Sequence, residues 1–147
     1  MIFFDKFNLI NIETIYLKII DKNNGNADEL PYYYYDIYLK SENKQIGKIS
    51  IRIGHNKHSY YNGNIGYEIN ESDQGKKFSL NACKLILQVA KYHGMNYLYL
   101  TCVDSNVPSQ KIIEYLGAIY LETIVPPKDY IFYYDGIPAY KIYRLDI

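Results

Sequence analysis

Gly63-Asn64-Ile65-Gly66-Tyr67-Glu68-Ile69-Asn70-Glu71-Ser72-Asp73-Gln74-Gly75-Lys76-Lys77-Phe78-Ser79 reads as a strand, a tight polar turn and the opening of a long helix. Ile65, Tyr67 and Ile69 alternate with Gly66, Glu68 and Asn70, which is the period of a strand. From Phe78 the apolar residues move to helical spacing through Ala82, Leu85, Ile86, Val89 and Ala90, and stop at Gly94. A junction of this kind presents unpaired main-chain N–H groups at the positive end of a helix. That suits a phosphate or pyrophosphate, and it equally describes an ordinary strand-to-helix connection.

Outward from this stretch, the 147 residues predict one domain, 1–147, with an apolar fraction of 48% and room for a sizeable core. Sixteen basic residues balance sixteen acidic ones, so no overall field draws the chain to nucleic acid or to an anionic membrane. The first residues lack the basic start and apolar run of a signal peptide, and no stretch approaches the roughly 20 apolar residues of a membrane helix. Cys83 and Cys102 fall on the predicted helix and on a predicted inner strand, as reduced core residues do. These features predict a soluble cytoplasmic protein. Tyrosine reaches 19 residues, but Ile, Asn and Lys are also abundant and share AT-rich codons, so the excess carries no functional inference.

Before the opening stretch, 14–20, 33–40 and 45–54 read as strands, the last two joined by the turn Ser41-Glu42-Asn43-Lys44. Asp21 to Pro31 reads as loop. After Gly94, Asn96 to Val103 is nearly continuous in apolar character and predicts a central strand buried on both faces. Asp104, Ser105 and Asn106 supply cap residues and Pro108 suits the first turn of a short helix that stops at Gly117, and 118–125 and 139–146 close the chain around a long loop. The expected class is α/β (α+β): a single mixed, mostly antiparallel sheet of about seven strands with a central splay, flanked by two main helices.

The turn Gln74-Gly75-Lys76-Lys77-Phe78-Ser79 and the run Asn106-Val107-Pro108-Ser109-Gln110-Lys111-Ile112-Ile113-Glu114-Tyr115-Leu116-Gly117 together resemble the GNAT superfamily of acyl-CoA-dependent N-acyltransferases. The second run is similar to the ribosomal-protein acetyltransferase branch, with Ser109 three residues and Glu114 eight residues after Asn106. Two departures stand out. Lys77 and Ser79 occupy positions where the family has glycine or alanine, and Ile113 stands where many members carry a catalytic tyrosine. In addition, the segment between Ile20 and Tyr33 is too short for the two helices that wall the family's acceptor site.

The resemblance implies acetyl-CoA as acyl-donor substrate and a primary amine, on a small molecule or a protein, as acceptor. It implies cofactor contacts at Ile69, Gln74, Gly75, Lys76, Lys77, Phe78, Ser79, Asn106 and Ser109. A main-chain N–H in the splayed strand would stabilise the oxyanion, and Ser109 would protonate the leaving thiolate. Glu68 faces away from Tyr67 and Ile69, near where the thioester would lie. Partial burial there would raise its pKa toward that of a general base. The missing wall leaves the acceptor site open to a protein substrate or completed by a second copy as a homodimer. A non-catalytic acyl-CoA-binding module is the alternative function, and an interaction domain without a CoA site is a third.

Two other clusters carry less. His55 and His58 have metal-like spacing but no third ligand nearby. Tyr32-Tyr33-Tyr34-Tyr35 reads either as an aromatic acceptor wall or as a strand with two tyrosines on each face.

Overall fold

A computed structural model describes residues 1–147. The strands are β1 (Leu9–Asn11), β2 (Ile15–Asn23), β3 (Tyr32–Leu39), β4 (Lys44–Arg52), β5 (Ile65–Ile69), β6 (Tyr97–Val103), β7 (Ile119–Ile124) and β8 (Tyr140–Asp146). The helices are α1 (Ser59–Asn62), α2 (Phe78–Tyr92) and α3 (Val107–Tyr115). The expected strand–turn–helix at residues 65–92 is therefore present, and Asp21 to Pro31 carries no helix, only the end of β2 and turns.

The strands form two sheets: a five-stranded one in the order β1-β2-β3-β4-β5 and a three-stranded one in the order β6-β8-β7. Every paired neighbour is antiparallel. The expected α/β class with a central splay is present, but the splay divides the strands into two antiparallel sheets rather than leaving a single mixed sheet of about seven. The splay between β5 and β6 is wide enough that no ladder joins them, and β1 adds an eighth strand. What holds the seam at its base is the buried Asn64. Its N–H donates to Tyr99 O at 2.7 Å and its Oδ1 accepts from the Tyr99 N–H at 2.9 Å. Its Nδ2 donates to the carbonyls of Arg52 and Gly54.

β6 also differs from expectation. Leu98, Leu100 and Cys102 are buried, while Tyr97, Tyr99, Thr101 and Val103 are only half-buried. The reason is topological. β8 occupies the middle of the three-stranded sheet, so β6 lies at its edge beside the splay, and continuous apolar sequence alone could not show which strand is central.

One core spans both sheets. α2 packs on β2, β4 and β5, and its buried face of Ala82, Cys83, Ile86, Val89 and Ala90 meets Ile15, Leu17, Tyr33, Tyr35, Ile49 and Ile51. The tyrosine run splits as period 2 demands. Tyr33 and Tyr35 are fully buried, and Tyr32 and Tyr34 stay half-exposed on the other face. Burying a phenol requires a partner for its hydroxyl. Tyr35 Oη donates to Phe7 O at 2.7 Å, and Tyr33 Oη lies 2.8 Å from His93 Nε2. No buried side-chain nitrogen or oxygen lacks a partner. No helix is long and apolar enough to cross a membrane.

Candidate active site

The turn between β5 and α2 is built by two residues in the left-handed region, Gly75 at φ +80° and Lys77 at φ +65°. They rotate the backbone so that no main-chain N–H from Gly75 to Leu80 has a hydrogen-bond partner within the chain. These groups open a helix of 15 residues, and its dipole adds positive potential at the same end. A Cβ added at Gly75 would meet nothing within 4 Å, so the glycine is required by its φ and leaves open space above the turn.

Lys77 explains one departure from the family pattern. The position demands φ near +65°, which glycine accepts and lysine resists. The lysine ammonium lies 5.8 Å from the Tyr115 ring, on the α3 side of the turn. Left-handed backbone costs a lysine about 1–2 kcal/mol. Glycine forfeits about 0.5–1 kcal/mol through the entropy of the unfolded chain. Lys77→Gly is therefore expected to stabilise the fold by about 0.5–1 kcal/mol, read as a rise in the urea unfolding midpoint at unchanged m.

The edge of β5 that faces the splay is open. Asn70 N–H donates to Ile46 O at 2.8 Å, which fixes the alternation of the β4–β5 ladder. Gly47↔Ile69 and Ile49↔Tyr67 are then the non-hydrogen-bonded pairs, and the N–H and C=O groups of Tyr67 and Ile69 point away from β4. Gln74 occupies one of these groups, since its Nε2 donates to Ile69 O at 3.0 Å. The N–H groups of Tyr67 and Ile69 remain available.

Of the three cap candidates, Asn106 is the one that caps α3, with Oδ1 accepting from the Ser109 N–H at 3.2 Å. Ser109 does more than start the helix, because its half-buried Oγ accepts a hydrogen bond from Tyr67 Oη at 3.0 Å. Burial pushes the Tyr67 phenol up to about 12. The phenol is therefore a proton donor throughout the neutral range, and the Ser109 proton is left free to point elsewhere. Ile113 lies one turn along α3 and is buried in the core, 3% exposed. Sequence reasoning overlooked the Tyr67 hydroxyl, because strand alternation placed its ring in the apolar row without showing what its tip would reach.

The opposite face of β3, β4 and β5 forms a cleft of about 480 Å³. Its floor includes Tyr32, Tyr34, Lys48, Arg52 and Glu68, and its walls are Asp28–Leu30 and the loop at Ile131–Phe132. The chain thus supplies walls of its own where the two family helices are missing. Glu68 faces the cleft, as period 2 requires, but it is exposed, so the expected partial burial is not found. It stands at the edge strand, opposite Lys48, where solvent reaches it. The two histidines part company. His55 stacks on Tyr97 with ring centroids 4.2 Å apart, whereas His58 is buried and its Nδ1 accepts from the Ile131 N–H at 3.1 Å. Cys83 and Cys102 are buried and free.

Comparison with known proteins agrees with this geometry. A family model described as acetyltransferase (GNAT) domain matches residues 9–119. An acetyltransferase (GNAT family) from Bacillus anthracis superposes with a TM-score of 0.62 at 19% identity, covering 77% of this chain and 65% of that one. The microcin C7 self immunity acetyltransferase MccE, solved with acetyl-CoA and AMP, gives 0.60 at 21%, with 79% and 61% covered. RimL, a ribosomal L7/L12 alpha-N-protein acetyltransferase solved with coenzyme A, gives 0.69 at 14%, with 95% and 98% covered. The chain therefore spans under two thirds of the first two of these proteins, and at such identities the likeness is one of fold. No curated protein sequence matches the chain.

Proposed function

This chain belongs to the GNAT acetyltransferase family, and on that premise we propose that it moves an acetyl group from acetyl-CoA to a primary amine by direct attack on the thioester. The observation that carries the reading is the unpartnered N–H run from Gly75 to Leu80, continuous with the open edge of β5 that leads to the Tyr67–Ser109 pair. In this reading the pyrophosphate rests on the amides of Gly75, Lys76, Lys77, Phe78 and Ser79, with Gln74 bracing the turn against Ile69. The pantetheine follows the main chain at Tyr67 and Ile69, toward the start of α3 at Asn106 and Ser109.

The chemistry then divides among few groups. The amine nitrogen attacks the thioester carbon, and the main-chain N–H of Tyr67 or Ile69 stabilises the oxyanion because nothing in the chain competes for it. The carbon–sulfur bond breaks, Ser109 gives its proton to the thiolate, and Tyr67 replaces that proton. Glu68 takes a proton from the acceptor ammonium on the cleft side, which frees the nitrogen lone pair for attack. The proton that the nitrogen sheds as the tetrahedral intermediate collapses returns to Tyr67 through solvent. The exposure of Glu68 makes it a proton acceptor in exchange with water, so a low activation requirement at a desolvated amine is part of the proposal. An acyl-CoA-binding module without turnover is the competing reading, favoured by the apolar Ile113 on the face of α3 that Ser109 shares.

Ligand binding tests the site. Acetyl-CoA at a hundredfold excess over Kd is expected to stabilise the fold by about 2.7 kcal/mol, a rise of roughly 5–10 °C in Tm for a domain of this size. Gly75→Ala should shrink that shift by obstructing the open space above the turn. An unchanged Tm at millimolar acetyl-CoA would remove the site, and a normal shift without acetylation of any amine would leave the binding module.

A further inference from the structure

The cleft beneath β5 holds a cation that has no ion-pair partner in the chain. Arg52 is the last residue of β4, and its side chain enters the cleft beside Ser50 and Gly66. A Cβ built on Gly66 would stand 3.3 Å from Ser50 Oγ and 3.8 Å from Arg52 Nη1, so the glycine keeps this part of the floor low. Nη1 donates to Gly63 O at 3.3 Å, the only hydrogen bond the guanidinium makes, and most of its N–H donors stay unpartnered. None of the ion pairs in the chain includes Arg52. Desolvation lowers its pKa from the usual guanidinium range, while Tyr130, the Glu29 carboxylate and Tyr32 act in the opposite direction. Lys48, also in the cleft and also without an ion pair, lies 5.8 Å from the Tyr34 ring.

None of the acidic groups of the cleft forms an ion pair with this cation, although the Glu29 carboxylate acts on its charge. Asp28 and Glu29 belong to the wall, Asp28 with Oδ1 3.8 Å from His58 Nε2, and Glu68 stands two residues beyond Gly66 on the same face of β5. Strand geometry separates Gly66 from Glu68 by about 7 Å. The floor therefore offers a guanidinium beside Gly66 and a carboxylate two residues along the same strand face. The open edge of β5, with its free Tyr67 N–H, runs alongside.

We propose that the acceptor amine carries an anionic group, a carboxylate or a phosphate a few bonds from its nitrogen, which Arg52 binds while Glu68 draws the ammonium toward β5. The proposal rests on the acetyl-transfer reading for its use of the word acceptor, but the binding contact stands without it. Arg52 presents paired N–H donors to a planar or tetrahedral oxyanion, a geometry that lysine reproduces only in charge. The tyrosines of the floor, Tyr32 and Tyr34, supply apolar surface for the linker between the two charges.

Three primary amines of similar length test it on the full chain: β-alanine for carboxylate, 2-aminoethyl phosphate for phosphate, and propylamine with no anion. At least one anionic amine is expected to exceed propylamine in kcat/KM by about 10–100-fold, and the better of the two names the anion. Arg52→Gln should bring that ratio close to one, and Arg52→Lys should restore part of it, with the melting curve of each variant confirming a folded chain. Equal rates for all three amines, or a preference that survives Arg52→Gln, would overturn the proposal. Calorimetric titration of CoA-saturated protein with the anionic amines reads the contact without turnover. Binding that disappears in Arg52→Gln supports it, and no binding to the parent chain overturns it. A parent that binds an anionic amine through Arg52 yet acetylates nothing would reject the transferase reading and keep this one. A parent that acetylates propylamine as well as the others would do the reverse.

Discussion

Replacing Ser109 with alanine is expected to lower kcat for amine acetylation by about 10²–10⁴-fold, the usual loss on removing a general acid. The KM for acetyl-CoA should change far less, because the proposed pyrophosphate site lies at the other helix. The expectation rests on one hydrogen bond, from Tyr67 Oη to Ser109 Oγ at 3.0 Å, which leaves the serine proton free for the thiolate. Tyr67→Phe removes only the second donor in that chain and should cost less than Ser109→Ala. The pH profile gives an independent check. The Tyr67 phenol, held up to about 12 by burial, stays protonated well past the neutral range. Activity should therefore climb with pH as the acceptor amine deprotonates and show no falling limb from this group below about pH 10. Glu68→Gln, at an exposed carboxylate, should produce a milder defect that fades as free amine accumulates. If Ser109→Ala turns over like the parent, Ser109 is only a first-turn helix residue, and the chemistry rests on positioning and the oxyanion donor.

Alkaline pH should unfold this protein through groups that burial keeps neutral. Burial in the core pushes the Cys83 thiol from 9.0 up to about 12. A raised pKa in the folded state stabilises fully below the unfolded value and is lost as pH rises toward the folded one. Below pH 9 both states keep the proton and nothing is lost. Between about pH 9 and 12 the unfolded chain releases it while the folded chain cannot, so stability falls by about 1.4 kcal/mol per pH unit, about 4 kcal/mol in all. From pH 10 the phenols of Tyr67 and Tyr130, both held up to about 12, steepen the decline in the same direction. Against a typical stability of about 5–15 kcal/mol this is a large share. Urea titrations at intervals from pH 8 to 11 measure it. Cys83→Ala should flatten the curve between pH 9 and 10, before the tyrosines contribute. An equal slope in parent and variant would show that the thiol titrates normally and that its surroundings open to water.

The reach of the sequence is clearest at the β5–α2 junction. Strand alternation at Ile65, Tyr67 and Ile69 and helical spacing from Phe78 set bounds that the fold keeps, because both patterns depend on neighbours a few residues away. A cap within Asp104–Asn106 and the polar turn at Gln74–Ser79 were legible for the same local reason, and the two motifs together indicated the family that the domain match supports. Tertiary structure decided what depends on residues distant in the chain. The hydroxyls of Tyr67 and Ser109 meet across 42 residues, and no periodicity records how far a phenol reaches. The seam between the two sheets is joined by Asn64, a buried amide whose partners lie on β6 and at the end of β4, and nothing in the residues around it records those partners. The strand order set β8 rather than β6 at the centre of its sheet, since pairing, not composition, determines which faces are covered. Glu68 lay on the predicted face, but its exposure depended on how high the cleft walls rise around an edge strand. Arg52 looked like one dispersed basic residue among sixteen until the strands and the wall segments closed a cleft around it without supplying an ion-pair partner. A local pattern fixes where a side chain points, and only the packing of distant segments fixes what it meets there.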